Sequence, residues 1–194
     1  MLNKIILASK SEVRKQILLK HGISCHVEPS NVDEEPVKQS LIKEGATPEV
    51  ISKNLAELKA NKVSRKKKDE IVLGADSVID LEGRIISKPE NREEALEILK
   101  KLNGKHHFLI SSVCLSKNGR MIWHYSDKAK LTMKNFKISE LKDYLEKVTD
   151  KALYAYNVYQ IEGVGKDLFL KIEGNENTIM GLPIEKIKEY LKNL

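Results

Sequence analysis

The sequence predicts an α/β protein on three observations. Short apolar segments typical of buried strands alternate along the chain with segments whose apolar residues recur at helical spacing. Capping residues stand where helices should begin, Thr47 directly before Pro48 and Asn91 three residues before Glu94. Apolar residues make up 41% of the chain and charged residues 32%, a balance typical of a packed core under a highly charged surface rather than of a disordered chain.

The first part of the chain is predicted to alternate short strands with helices. The helix over residues 10–21 should bury one face, which carries Val13, Ile17 and Leu18. The helix that begins at Thr47 and Pro48 should end in the basic run near Arg65, which suits the negative end of a helix dipole. In chain order we predict a strand over 4–8, a helix over 10–21, a strand over 23–29, an acidic loop over 30–36 that Pro36 closes, and a helix over 47–65.

The rest of the chain continues the alternation. Glu82-Gly83 should form a turn between two strands, and "KNGR" at 117–120 a hairpin turn between two long strands. In chain order we predict a strand, turn and strand over 70–90, a helix from Asn91 to Asn103-Gly104, two long strands around 117–120, a helix from Ser139, an irregular segment over 150–165, a strand over 167–172 and a closing helix with Pro183 near its start. With no internal repeat and no clear linker, we expect one domain over residues 1–194.

Composition excludes several classes of protein. Cys25 and Cys114 lie far apart and form no CxxC pair, so neither a disulfide framework nor a zinc site is expected. No apolar run reaches the length of a signal-peptide core or a membrane span, which favours a cytoplasmic protein without membrane contact. The net charge of +6 suits acidic partners, either nucleic acid or phosphorylated small molecules, although it also fits a solvated lysine-rich surface.

The stretch "LASKSEVRKQIL" at 7–18 is a candidate phosphate site. A strand that turns directly into a helix presents free backbone N–H groups and the positive helix end to an anion. Ser9 and Ser11 can add hydroxyl donors, and Arg14 can grip phosphate oxygens in pairs. The alternative is that these serines only cap the helix.

Asp76 is the residue that most strongly indicates a reactive site. It interrupts the apolar strand "IVLGADSVI", where burial without a partner would be costly, and Gly74-Ala75 before it could let a ligand come close.

One arrangement joins Asp76 to other motifs. Glu34 and Asp76 would hold a divalent metal on a triphosphate, while Arg14, Lys59 and Lys88 would bind its phosphates and one carboxylate would orient or deprotonate the attacking water.

An ordered set of motifs resembles the Maf (septum formation inhibitor-like) nucleotide pyrophosphatases. The motifs are "LASKSEVRKQIL", "VDE", "LAELKA", "GADSV", "SKP", "LNGKHH" and "GLPIEKI", and they cover nearly the whole chain. The resemblance implies an elongated mixed β-sheet in two lobes around a cleft with flanking helices, similar to inosine triphosphate pyrophosphatases. It also implies hydrolysis of a nucleoside triphosphate between the α and β phosphates, to monophosphate and pyrophosphate, with Mg²⁺ or Mn²⁺.

The resemblance also assigns residues. The family's S-x-S-P-R-R motif matches the stretch from Ser9 to Lys15, with Glu12 in place of the proline. The acid pair matches Asp33 and Glu34, the helix lysine Lys59 and the KP lysine Lys88. Asp76 matches the residue described as the proton acceptor in such enzymes. Whether Asp76 acts as a base or chiefly as a metal ligand, and whether Arg14 or Lys15 makes the main phosphate contact, is left open.

The family has a branch that acts on dTTP and UTP and a branch that acts on 7-methyl-GTP. Two places where the sequence differs from the dTTP and UTP branch slightly favour the 7-methyl-GTP branch. Val13 followed by Arg14 and Lys15 resembles that branch's bulky apolar residue and two basic residues. In "VYQIEGVG", Glu162 resembles its glutamate, and a carboxylate can accept hydrogen bonds from a guanine edge and favours a cationic base. Gln160 is the alternative base-reading residue.

We therefore expect a nucleoside triphosphate pyrophosphatase with a nucleotide substrate and no nucleic-acid partner, either monomeric or homodimeric. The main alternative is a non-enzymatic nucleic-acid-binding module that uses a lysine-rich surface such as "KVSRKKK" at 62–68. A nucleotide sensor that binds without turnover is a third hypothesis.

Overall fold

The computed structural model describes residues 4–150, 152–153 and 158–194, and it shows the mixed α/β architecture that the sequence predicts. The strands are β1 (Ile5–Leu7), β2 (Cys25–Val27), β3 (Ile71–Leu81), β4 (Arg84–Ile86), β5 (His106–Lys117), β6 (Arg120–Met133) and β7 (Phe169–Glu173). The helices of the described residues are α1 (Glu12–Lys20), α2 (Glu34–Lys43), α3 (Pro48–Ser64), α4 (Arg92–Leu102), α5 (Ile138–Lys147), a 3-10 helix (Val164–Leu168), α6 (Glu176–Ile179) and α7 (Ile184–Lys192).

The strands form a seven-stranded mixed sheet in the order β2-β1-β3-β5-β6-β7, with β4 paired to β3. Strand β1 runs parallel to both β2 and β3, with Ile6 opposite His26 on one side and Val72 on the other. Parallel neighbours need a long connection, and helix α1 lies in the one from β1 to β2. Helices α2 and α3 lie in the connection from β2 to β3, which are separated in the sheet by β1. The pairs β3–β4 and β6–β7 are antiparallel.

The chain divides into two compact units. Unit 1 comprises Met1–Val78, Ile110–Lys128 and Asn175–Leu194, and unit 2 comprises Ile79–Leu109 and Ala129–Gly174. Both units are assembled from separate stretches, so no single cut in the sequence separates them. The assignment of residues 1–194 to one domain stays a prediction. Within the described ranges, no helix combines the length and apolar composition needed to cross a bilayer.

Unit 1 has a core built from β1, α1, β3, β5 and α7. Its buried side chains include Leu7, Leu18, Leu73, Leu115 and Ile187. The predicted apolar face of α1 is confirmed, because Ile17 and Leu18 are buried and Val13 packs against the same cluster.

Helix α2 is a correction to the predicted acidic loop over 30–36. The helix begins at Glu34 and runs to Lys43, with Asp33 as the flanking residue. Pro36 therefore lies in the first turn, where its missing N–H removes no intrahelical hydrogen bond. Glu34 and Glu35 suit the positive end of the helix dipole. The proline that suggested the end of a loop is thus compatible with the start of a helix.

Two other differences concern the last third of the chain. The 3-10 helix Val164–Leu168 and the short helix α6 were not predicted. The segment 150–165, predicted to be irregular, lies partly outside the described residues.

His107 is a buried histidine in unit 2. Its side chain is 1% exposed, Nε2 lies 2.8 Å from the Tyr159 hydroxyl, and its ring lies against Tyr159 and Phe169. His106, the preceding residue, is exposed, as expected for side chains that point to opposite faces of a strand. Burial, with a smaller effect of His106, lowers the pKa of His107 to about 4.

This lowered pKa should make stability depend on pH. Between the ordinary histidine pKa of 6.5 and about 4, the unfolded chain binds a proton at this position and the folded chain does not, so stability falls as the pH falls. We expect His107 to account for a loss of about 2 kcal/mol between pH 6.5 and 5. Urea unfolding at pH 6.5 and at pH 5 should show this loss of unfolding free energy in the parent protein and not in His107→Gln. An equal pH slope in both proteins would contradict the assignment.

Candidate active site

Asp76 lies in the middle of β3 with its side chain buried. Its Oδ1 accepts a hydrogen bond of 2.8 Å from Lys59 Nζ, and its backbone carbonyl accepts one of 3.2 Å from the hydroxyl of Ser52. Oδ2 is buried and has no hydrogen-bond partner among the described residues. The cost of burying the carboxylate is therefore offset at one oxygen only, and the other oxygen has unused capacity to accept a hydrogen bond.

Lys59 joins two carboxylates. It lies in α3 and is 7% exposed, and its Nζ is 3.0 Å from Glu34 Oε2 as well as 2.8 Å from Asp76 Oδ1. Glu34 is the first residue of α2. Residues from three separate motifs thus meet at one ammonium group, which the sequence pattern alone did not establish. We call Glu34, Lys59 and Asp76 the carboxylate–lysine cluster.

Gly74 explains how α3 comes close enough to β3 for this contact. A Cβ at Gly74 would lie 2.2 Å from the Ala56 carbonyl oxygen and 2.7 Å from the Ala60 amide nitrogen. The interpretation that small residues before Asp76 leave room for a ligand is therefore wrong for Gly74, because helix α3 fills that space. The close approach is what allows Lys59 to reach Asp76.

The charges of the cluster act on one another. Burial raises the pKa of Asp76, Lys59 opposes this by its charge and hydrogen bond, Glu34 raises the pKa further and Arg14 lowers it. Burial likewise lowers the pKa of Arg14, and Asp76 and Glu34 oppose that shift. Arginine stays protonated in proteins, so Arg14 places a fixed positive charge near the carboxylates of Asp76 and Glu34.

Arg14 is held by four hydrogen bonds to the protein. Nε donates to the Gly181 carbonyl at 3.0 Å, Nη1 to the Ala75 carbonyl at 3.0 Å and the Ser9 hydroxyl at 3.2 Å, and Nη2 to the Ser77 hydroxyl at 3.1 Å. A guanidinium has five N–H groups, so contacts within the protein use most of them. The structure brings Ser9 and Arg14 together beside the residue that precedes Asp76.

Ser11 and Lys15 have different surroundings from Arg14. Ser11 is the N-cap of α1, and its Oγ accepts the backbone N–H of Arg14 at 3.3 Å. Lys15 Nζ lies 3.6 Å from Glu12 Oε1, and its side chain is 38% exposed. Of the two basic residues, Lys15 is therefore the one with its charge at the surface.

Lys88 and Glu162 belong to unit 2, and each is exposed. Lys88 follows β4, and Glu162 lies in a turn in which Gly163 N donates to the Gln160 carbonyl at 3.1 Å. A Cβ on Gly165 would lie 2.6 Å from Gln160 N, so this turn is closely packed. Contacts of Lys88, Glu162 or Gln160 with a substrate stay predictions.

The sequence did not predict several residues that hold Arg14 through polar groups. Ser77 and Gly181 are two of them, and they lie in the motifs "GADSV" and "GLPIEKI". Gly181 has φ +94°, and a Cβ there would meet Ser77 Oγ at 3.1 Å and Arg14 Nε at 3.3 Å, so the position requires glycine. Ser111 and Thr178 carried no local signal, because their partners lie 34 to 67 residues away in the chain.

The donor set fits a divalent metal bound together with a phosphorylated substrate. No group of three or more His, Cys, Asp or Glu side chains suited to a metal occurs among the described residues. Mg²⁺, however, is commonly bound by one or two carboxylates plus substrate phosphates. Glu34 and the unpartnered Oδ2 of Asp76 are the two hard oxygen atoms of the cluster that could serve as ligands of that kind.

Solved structures show the class of fold. The Ham1 protein of Staphylococcus aureus superposes with a TM-score of 0.54 at 14% identity, over 98% of this chain and 99% of that one. A HAM1 protein from Coxiella burnetii superposes with a TM-score of 0.51 at 12% identity over the full length of both chains. The chain therefore has an α/β fold of the Ham1 type, with a carboxylate–lysine cluster in unit 1.

The sequence comparisons are more specific than the fold. Residues 4–194 match the family of Maf-like proteins, and the chain belongs to the Maf family, which confirms the resemblance in the motifs. A protein of Pelagibacter ubique (strain HTCC1062) called "Nucleoside triphosphate pyrophosphatase" is 70% identical over 192 residues, 99% of this chain and 98% of that protein. A protein of Brucella abortus called "7-methyl-GTP pyrophosphatase" is 39% identical over 181 residues, 93% of this chain and 91% of that protein.

Proposed function

We propose that this protein is a nucleoside triphosphate pyrophosphatase that hydrolyses the bond between the α and β phosphates, releasing a nucleoside monophosphate and pyrophosphate. The relative from Pelagibacter ubique, which bears the name of this activity, is 70% identical over nearly the whole of both chains. The observation that carries the assignment to a site is the buried Asp76, with one oxygen on Lys59 and the other without a partner among the described residues.

Asp76 is suited to accept a proton. Burial raises its pKa, and a carboxylate with a raised pKa is a stronger base than an ordinary aspartate. Lys59 holds Oδ1 and so orients the side chain, which leaves Oδ2 as the atom that takes a proton from an attacking water or binds a cation. Lys59 has three N–H donors, and its two carboxylate contacts leave one for a phosphate oxygen.

Asp76 and Glu34 would hold Mg²⁺ or Mn²⁺ in this proposal. The cation supplies charge neutralisation on the phosphate oxygens. Glu34 is tied to Lys59 at 3.0 Å, so both carboxylates are positioned from the same ammonium. The unpartnered oxygen of Asp76 supports this role.

The triphosphate would bind at the start of α1 and at basic side chains. Ser9, Ser11 and the first backbone N–H groups of the helix favour an anion there. Lys15, whose charge is at the surface, Arg14, Lys59 and Lys88 supply positive charge in the proposal. Lys15 is a better candidate than Arg14 for a direct phosphate contact, because most of the Arg14 N–H groups already bind the protein.

The proposed base preference is 7-methyl-GTP slightly ahead of dTTP and UTP. The relative from Brucella abortus named for 7-methyl-GTP supports it at 39% identity, as does the order Val13, Arg14, Lys15. The exposed carboxylate of Glu162 would accept hydrogen bonds from the guanine N1–H and amino group, and its charge would favour the cationic methylated base. Gln160 is the alternative reader of the base.

A pyrophosphate-release assay tests the activity. The panel should contain 7-methyl-GTP, dTTP, UTP, pseudouridine triphosphate and the four common ribonucleotides, each with Mg²⁺, with Mn²⁺ and with EDTA. We expect release that needs the metal and is fastest with 7-methyl-GTP. Metal-independent release would overturn the metal proposal. No release, together with salt-sensitive binding of DNA or RNA, would favour the nucleic-acid module. Binding of a nucleotide that is not cleaved in a single-turnover assay would favour the sensor.

The Glu162→Gln variant tests the base reader. We expect kcat/KM for 7-methyl-GTP to fall about tenfold relative to that for UTP, since one charged hydrogen bond is worth about 1.5–3 kcal/mol. Glu173→Gln, which alters an exposed glutamate of the same unit, is the matched control and should leave the ratio of the two kcat/KM values unchanged. If Gln160→Ala changes the ratio and Glu162→Gln does not, Gln160 reads the base.

A further inference from the structure

A chain of hydrogen bonds runs from Arg14 into the interior of unit 1. Arg14 Nη2 lies 3.1 Å from Ser77 Oγ, which lies 2.8 Å from Ser111 Oγ. Ser111 Oγ lies 2.7 Å from the backbone carbonyl of Thr178, and Thr178 Oγ1 lies 2.6 Å from Asp127 Oδ2. Ser111 and Thr178 are fully buried.

The direction of each hydrogen bond follows from the number of protons available. A carbonyl oxygen can only accept, so the single hydroxyl proton of Ser111 goes to Thr178. Ser111 must then accept from Ser77, and Ser77, having given its proton, accepts from Arg14. The Asp127 carboxylate accepts from the Thr178 hydroxyl and so holds Thr178 in place. The chain therefore runs in one sense, from the guanidinium to the Thr178 carbonyl, and a charged donor at its start strengthens each later bond.

We infer that Ser77, Ser111, Thr178 and Asp127 are positioning residues that hold Arg14 in one orientation beside Asp76. The inference rests on the proposed function for its effect on turnover, and on the hydrogen-bond geometry for the orientation itself.

The held guanidinium acts on Asp76 through the backbone. Nη1 binds the carbonyl of Ala75, the residue before Asp76, at 3.0 Å, and Nε binds the Gly181 carbonyl on the segment that precedes α7 at 3.0 Å. Arg14 thus ties the β1–α1 connection, strand β3 and the α6–α7 connection together. Loosening this chain of hydrogen bonds should misplace Asp76 and so lower kcat, with little effect on the affinity for substrate.

Ser111→Ala with Ser112→Ala as matched control tests this inference. Ser112 is the next residue and is equally buried. Its Oγ lies 2.8 Å from Ser126 Oγ, the same distance as between Ser111 and Ser77, but Ser126 does not belong to the chain of hydrogen bonds that begins at Arg14. We expect Ser111→Ala to lower kcat about tenfold with KM within twofold of the parent, and Ser112→Ala to change neither. Equal losses in both variants, no loss in Ser111→Ala, or a change confined to KM would overturn the inference.

A second measurement does not need turnover. In ¹⁵N-labelled protein, a guanidinium held at Nη1 and Nη2 should show slow rotation and separate Nη–H signals, assigned to Arg14 by their loss in Arg14→Lys. These signals should merge in Ser111→Ala and stay separate in Ser112→Ala, and their persistence in Ser111→Ala would overturn the inference. A parent protein that releases no pyrophosphate but shows the signals would contradict the proposed function alone.

If Ser111→Ala does not fold, Thr178→Val and Thr178→Ser provide the same comparison. Valine removes the hydroxyl that binds Asp127 and serine keeps it, while the backbone carbonyl is present in both. We expect the loss of kcat and the merged Nη–H signals in Thr178→Val, and recovery in Thr178→Ser. Equal behaviour of the two variants would overturn the inference.

Discussion

The Asp76→Asn variant should lose about 10³-fold in kcat while it keeps its fold. Asparagine has the same shape, and its carbonyl oxygen can accept the hydrogen bond from Lys59 that Oδ1 now accepts at 2.8 Å. Its NH₂ group in place of Oδ2 can neither take a proton nor bind a cation. Because burial raises the pKa of Asp76, a neutral side chain is tolerated there, and the melting temperature should not fall.

Pyrophosphate release and a thermal melt on the same preparations check this expectation. Asp69→Asn is the matched control, since Asp69 is exposed and has φ 63°, a conformation that asparagine tolerates. Parent-level turnover in Asp76→Asn would rule out Asp76 as the reactive carboxylate. Recovery of the variant at high Mn²⁺ would identify Asp76 as chiefly a metal ligand, and no recovery would identify it as the base.

The Gly74→Ala variant should lose about 3 kcal/mol of folding stability. The added Cβ would lie 2.2 Å from the Ala56 carbonyl oxygen and 2.7 Å from the Ala60 amide nitrogen. Both are backbone atoms of α3, so no side-chain rotation can relieve the contact and the helix must move away from β3. Lys59 lies in that stretch of α3, and turnover should fall together with stability.

Denaturant unfolding with Gly163→Ala as control measures this effect. At Gly163 the atom nearest to an added Cβ lies 3.8 Å away and φ is −130°, so alanine should be tolerated. Equal stability of Gly74→Ala and the parent would show that α3 and β3 do not need this close approach.

Much of the secondary structure could be predicted because its signals are local. Thr47 and Pro48 start α3, Asn91 caps α4 through the Glu94 amide, and "KNGR" joins β5 to β6. Helix α2 was missed because Pro36 is compatible with both a loop and a first helical turn. Asp76 could be singled out because a carboxylate in an apolar strand is costly wherever the strand lies.

The sequence by itself determined the α/β class, the family and the chemical types of the site residues, since these depend on neighbouring residues and on ordered motifs. Only the tertiary structure decided that Glu34, Lys59 and Asp76 share contacts, that α3 fills the space over Gly74, and that Arg14 binds the protein through most of its N–H groups. Among these contacts, Lys59 and Asp76 lie 17 positions apart in the chain, and Arg14 and Gly181 lie 167 positions apart. Patterns along the chain report local conformation and burial, whereas a hydrogen bond between distant residues depends on how the whole unit packs.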